Sequence, residues 1–221
     1  MTAADPAAAL AQTFAPHEGL AARLIPHAIE GNDGSHDIAH LQRVFRNAMR
    51  IRAVEGGAAE VLAAAVLLHD CVSVEKDSPQ RSQASRLAAD KAAGILDDLG
   101  WQPETIAAVQ HAITTHSFSA NLPPESLEAR ILQDADRLDA IGMVGAARCF
   151  YTAGRLGSAL YDPADPRAEH RPLDDRRFAI DHFAAKLLTL ADGFQTPSGR
   201  ALALERHRRL QQVLDLFIDE I

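Results

Sequence analysis

The stretch from Val61 to Leu68 is apolar at every position, and it runs straight into His69 and Asp70. A helix that is apolar all round is buried all round. The imidazole and carboxylate at its end stand against packed hydrocarbon, where ionisable groups carry a desolvation cost unless something pairs with them. A divalent ion pairs with both at once. Two other segments carry matching donors: His40 upstream in HDIAHLQRV and Asp136 downstream in QDADRLDAIG. As neighbours, His69 and Asp70 do not share a helix face. They can chelate one ion only from the end of the helix, with the ion wedged between packed helices. His40, His69, Asp70 and Asp136 therefore read as one metal site. Two imidazoles and two carboxylates suit manganese, iron, nickel, cobalt or zinc, and magnesium less well. An ion with open positions lowers the pKa of a bound water from about 15.7 towards about 7.

The rest of the chain is patterned for helices. Of 221 residues 47% are hydrophobic and only 5% aromatic, with alanine abundant, a composition of helix formers with enough apolar bulk for a real core. The periodicity predicts a helix over 7–29, broken near Pro16. After a turn at Asn32-Asp33-Gly34, a second helix over 36–54 is capped by Ser35. The buried helix over 58–71 follows Gly56-Gly57. A charged loop covers 72–80, and further helices are expected over 81–99, from Pro103 to His116, over 126–132 and over 135–151. In that last register Asp136 lines up with Ala140, Met143, Ala147 and Phe150 on the core side. Residues 152–175 hold Gly154, Gly157, Pro163, Pro166 and Pro172, and a loop of this length is usually functional or disordered. Helices over 176–192 and 197–220 close the chain, the last with Leu210, Val213, Leu214, Phe217 and Ile221 facing inward. The expected fold is a single all-α domain, a helical bundle over 1–221, with a metal-binding core at about 32–151 and C-terminal helices at 176–221.

Charge and cysteine content narrow the partners. With 22 Lys and Arg against 30 Asp and Glu, the net charge is −8, which disfavours a nucleic-acid polymer as partner. A small anionic substrate stays open to it, because a metal and local basic groups override the global field. Cys71 and Cys149 form no ligand spacing, and a reduced, cytoplasmic setting is expected. The first residues lack the pattern of a signal peptide, and no apolar run is long enough to span a bilayer. Exposed alanine-rich helix faces leave room for a homodimer.

In order along the chain, HDIAHLQRV, LLHD, KDSPQRSQAS, HSFS and DADRLDAIG resemble the segments of the HD-domain superfamily of metal-dependent phosphohydrolases, and of its YedJ/YpgQ-like bacterial subgroup. The likeness runs from about residue 32 to the C-terminal helix. It implies His40, His69, Asp70 and Asp136 as ligands of one divalent metal. It also implies hydrolysis of a small phosphorylated substrate, often a nucleotide, with nucleoside triphosphate pyrophosphohydrolysis suggested by the subgroup. Phosphomonoesterase or phosphodiesterase action on the same site, or a non-enzymatic metal- or nucleotide-binding role in signalling, are the alternatives.

Further residues carry both a chemical and a structural reading. His116 is a substrate contact or a proton donor to the leaving group, or a cap on its own helix end; for His111 the structural reading leads. His36 either joins the ion or lies at the surface. Lys76 and Arg81, just past the His-Asp pair, are expected to bind phosphate oxygens; the alternative is a solvated loop. Asp139 orients a metal-bound histidine or positions water, while Arg137 and Arg148 read as salt-bridge partners. The basic residues Arg155, Arg167, His170 and Arg171, with Tyr161, suggest that the long loop folds over the metal pocket and selects the substrate.

Overall fold

The computed structural model describes residues 6–28, 37–74, 83–117 and 121–221. The chain groups into two compact units, Met1–Asp136 and Arg137–Ile221. The architecture is all-α, and the described residues contain no strand.

The first unit opens with α1 (Pro6–Gln12) and α2 (Glu18–Ala28), interrupted where Pro16 stands. α3 (Ile38–Glu55) begins after Asp37, whose Oδ1 accepts the backbone N–H of His40 at 3.0 Å. The cap is therefore Asp37; Ser35 lies outside the described residues. Capping fixes the first turn of α3 and with it the backbone of His40. α4 (Ala59–Leu68) is buried at every position from Val61 to Leu68. It packs against α2, α3 and α6, the helices that carry Leu24, Leu41, Ile51 and Ile113, which are among the most deeply buried side chains. α5 (Ala84–Asp98) and α6 (Pro103–His116) lie against each other, with Pro103 in the first turn of α6 as expected.

The predicted break at 133–134 does not occur. α7 runs through it from Leu127 to Asp139, and the chain turns at Ala140-Ile141 before α8 (Gly142–Leu156). Asp134 and Asp139 interrupt the apolar pattern in sequence, yet both are fully buried, Asp134 inside the helix and Asp139 at its last position. Gly142 adopts a φ of 75° at the turn, a conformation that suits glycine. The register joining Asp136 to Met143 ends at this corner, and Met143 is 62% exposed.

In the second unit α8 extends through Leu156, so the long loop starts five residues later than the predicted 152, at Gly157. Arg171 ties it together. Its Nη1 and Nη2 donate to Asp181 at 2.5 and 2.9 Å, its Nε lies 3.2 Å from Asp162, and its guanidinium sits 4.5 Å over the Phe178 ring. Asp181 also accepts the N–H of Asp174 at 2.7 Å. These bonds pull residues 174–180 out of helical geometry. The expected helix over 176–192 is accordingly replaced by α9 (Asp181–Ala185) and a 3-10 segment, Leu187–Gly193. α10 (Pro197–Asp219) starts at Thr196, whose side chain accepts the N–H of Gly199 at 2.9 Å. Of its predicted inward stripe Leu210 is buried and Phe217 stacks on Phe150 with ring centres 5.3 Å apart, while Ile221 is exposed. Among the described residues no helix is long and apolar enough to cross a membrane.

The Arg171–Asp181 pair gives the second unit a pH dependence. Burial pushes the Asp181 carboxyl up, but the Arg171 guanidinium and the Asp174 N–H outweigh it and hold the group below its usual value of 3.8. A carboxyl depressed in the folded state stabilises the fold above its unfolded pKa and loses that contribution as pH falls through its folded pKa. Resistance to urea is expected to fall as pH is lowered below the usual carboxyl value of 3.8, and Arg171→Ala is expected to flatten that dependence. An equally steep decline in the variant would remove Asp181 as its source.

Candidate metal centre

Two helices end in the same device. At the end of α4 His69 places Nδ1 2.8 Å from the carbonyl of Val66, and at the end of α6 His116 places Nδ1 2.6 Å from the carbonyl of Ile113. A carbonyl can only accept, so in each ring the proton sits on Nδ1 and Nε2 presents a lone pair. Both lone pairs face one cluster. His40 Nε2 lies 3.3 Å from His69 Nε2, 3.5 Å from Asp136 Oδ1 and 3.7 Å from Asp70 Oδ2. His69 Nε2 lies 3.5 Å from Asp70 Oδ2 and 3.9 Å from Asp136 Oδ1. Asp70 Oδ1 is 3.9 Å from His116 Nε2, and the His69 and His116 rings meet edge to face with centres 4.9 Å apart.

This donor set fits a divalent cation. Ligand atoms at about 2.1 Å from one ion stand roughly 3.0–3.5 Å apart, close to most of these separations, which are long for hydrogen bonds. His40, His69 and Asp136 offer ligand atoms within 4.8 Å of one another, and so do His69, Asp70 and His116. The negative ends of α4 and α6 also point towards the cluster and favour a cation there. The imidazoles of His40 and His69 are 1% and 0% exposed, whereas Asp70 and Asp136 are 33% and 28% exposed. The histidines form a dry floor and the carboxylates an open edge. Burial, and then the neighbouring His69, hold the His116 pKa below 6.5 despite Asp136 and Asp70, so the ring stays neutral near pH 7.

The residues singled out in the sequence thus fall into three groups. His40, His69, Asp70 and Asp136 come together, with His116 beside them. His111 is committed elsewhere: its Nε2 accepts the N–H groups of Glu125 and Ser126 at 3.2 and 3.4 Å, at the start of α7. Asp139 is fully buried and paired with Arg148 at 2.9 Å, the salt bridge expected for that arginine. His36, Lys76 and Arg81 lie outside the described residues. Sequence reasoning missed Asn47, whose Nδ2 donates to the Ala135 carbonyl at 3.1 Å and so joins α3 to α7 beside Asp136. Its signal was available, since Asn47 lies two turns from His40 on an otherwise apolar stripe.

The sequence model of the HD domain matches residues 37–141, which contain every member of this cluster. The protein YpgQ of Bacillus subtilis is 35% identical over 184 residues, 80% of each chain. The chain belongs to the HD-domain family. An HD-superfamily hydrolase from Bacillus thuringiensis superposes with a TM-score of 0.68 at 30% identity, covering 96% of both chains. Bacillus subtilis YpgQ in complex with ADP superposes with a TM-score of 0.67 at 34% identity, covering 85% of this chain and 90% of that one. The family expected from the ordered motifs is the one found, and with it a metal-dependent phosphohydrolase.

Proposed function

We propose that this HD-domain enzyme hydrolyses a nucleotide, with release of pyrophosphate from a nucleoside triphosphate as the favoured reaction. The observation that carries the reading is the convergence of His40 Nε2, His69 Nε2, Asp70 Oδ2 and Asp136 Oδ1 behind an open carboxylate edge. The complex of YpgQ with ADP supports a nucleotide as ligand here too. His40, His69, Asp70 and Asp136 would hold one divalent ion, and manganese is the first to try. Such an ion supplies positive charge to phosphoryl oxygens and makes a water acidic enough to act near neutral pH.

The chain's own groups do the rest. The closed histidine side of the cluster leaves the Asp70 and Asp136 edge as the approach for a phosphate. His116 starts neutral, with Nε2 as an acceptor. An incoming phosphate favours the protonated ring, the state in which Nε2 can give a proton to the leaving oxygen. For Asp139 we propose an orienting role, since Arg148 occupies its Oδ2. Lys76 and Arg81 are proposed to grip the phosphates remote from the reacting one, arginine through its forked donors.

The test is product identity. The full chain, stripped of metal and reloaded with manganese, is incubated with nucleoside triphosphates, phosphomonoesters and cyclic nucleotides, and products are followed by phosphorus NMR. Nucleoside monophosphate and pyrophosphate in equal amounts are expected. Orthophosphate alone from monoesters would move the assignment to a phosphomonoesterase. Silence on every nucleotide, with metal shown to be bound, would remove the nucleotide reading.

A further inference from the structure

The C-terminal end of α6 is held in an unusual way. The last carbonyls of a helix have no partner within it. Here Ile113 O takes the His116 Nδ1 proton at 2.6 Å, Thr114 O takes the Ser85 hydroxyl of α5 at 3.0 Å, and Thr115 O takes the Gln133 amide of α7 at 2.8 Å. Three successive carbonyls leading to His116 are thus bound by three side chains, two of them from other helices. Gln133 is one turn before Asp136 on α7, so its bond ties the backbone beside His116 to the helix that carries a ligand of the cluster.

Gln133 is a poor choice for stability alone. It is 2% exposed, and its Oε1 is buried without a hydrogen-bond partner. An unpaired buried carbonyl oxygen costs free energy that an apolar side chain of the same size avoids. The amide is too enclosed to touch a substrate. What it provides is a fixed distance between the end of α6 and the middle of α7, one turn before Asp136.

We infer that Gln133 is a positioning residue, seconded by Ser85, which sets His116 Nε2 against the metal cluster. This rests on the reading of His116 as part of the reacting site. Its effect is on geometry, and misplacing a reacting group by about 1 Å can cost about a hundredfold in rate.

The test uses Gln133→Leu and, as a milder change, Ser85→Ala in the full chain. Long-range proton–nitrogen NMR of labelled histidines, with His116 identified by its loss in His116→Asn, reads the ring without any turnover. The wild type is expected to show His116 as a single tautomer protonated on Nδ1, and Gln133→Leu an exchanging mixture. In Gln133→Leu kcat is expected to fall about 10–100-fold, the range for residues that orient a catalytic group, with KM changed less than about twofold. Thermal melting stays within a few degrees of the wild type, and Ser85→Ala moves kcat and tautomer in the same direction by less. An unchanged tautomer or an unchanged kcat in Gln133→Leu overturns the inference. So does a variant that no longer folds, which makes the residue structural. A wild type inactive on all substrates would instead count against the hydrolysis reading, and the NMR comparison would still decide the role of Gln133.

Discussion

Replacing Asp70 by alanine is expected to lower kcat/KM by at least about a thousandfold, or about 4 kcal/mol of transition-state stabilisation at 1.36 kcal/mol per decade. The size follows from its double engagement. Oδ2 faces His40 and His69 while Oδ1 faces His116, so one truncation removes a proposed metal ligand and the neighbour of the histidine proposed to give a proton to the leaving oxygen. The fold should tolerate the change. Asp70 stands on the turn after α4 and is one-third exposed, and its removal lessens the crowding of acceptors. In the absence of metal the variant should melt at or slightly above the wild type. Calorimetric titration with manganese should show binding weakened in parallel with activity. Full activity in a metal-free Asp70→Ala protein would sink the assignment of the site.

Gly145→Ala is expected to destabilise the second unit by about 3 kcal/mol, at the upper end of overpacking costs. A Cβ at this position would lie 2.3 Å from the carbonyl oxygen of Ala140 and 2.4 Å from its carbon. Both are backbone atoms at the corner between α7 and α8, and no rotamer relieves them. The corner is also fixed from the other side, where Gly142 at φ 75° lies against Arg206, with Cβ-to-Cβ spacing of only 3.3 Å were it an alanine. For a chain of this length the expected fall in melting temperature is about 6–12 °C. Gly154, where an added Cβ meets nothing within 4 Å, provides the control: Gly154→Ala should leave the melting temperature level or raise it slightly. Equal behaviour of the two variants would mean that the corner opens freely.

How far the sequence could be read depended on whether the cause was local. The apolar run Val61–Leu68 announces a helix buried on every side, and the candidate ligands follow because His69 and Asp70 sit at its end. Pro103 and Thr196-Pro197 mark helix starts through their own backbone chemistry. The corner at Ala140-Ile141 was not legible, because what sets it is the contact of Gly145 with a residue five positions earlier. The continuity of α7 through residues 133 and 134 was not legible either, since nothing local reveals that Gln133 is buried against the Thr115 carbonyl of α6. The same holds for the loop after Gly157, whose order comes from Arg171 reaching Asp181 ten residues on. His111 and His116 look alike in sequence, yet one holds the two backbone N–H groups just before α7 and the other lies beside the cluster. Gln133 and Asn47 were passed over because their role lies wholly in which carbonyl they meet.

α4 has a consequence beyond packing. It is the central helix of the first unit, and it ends in the proposed ligands His69 and Asp70, while the other two proposed ligands hang from α3 and α7. Holding an ion therefore means holding three helices in place, and the free energy of coordination is also free energy of folding. At free metal a hundredfold above its dissociation constant this linkage is worth about 2.7 kcal/mol. Without the ion, lone pairs, carboxylates and two negative helix ends converge with only their own protons to separate them. A cell short of the metal would thus meet this enzyme first as a protein prone to unfolding and proteolysis, and only afterwards as a missing activity.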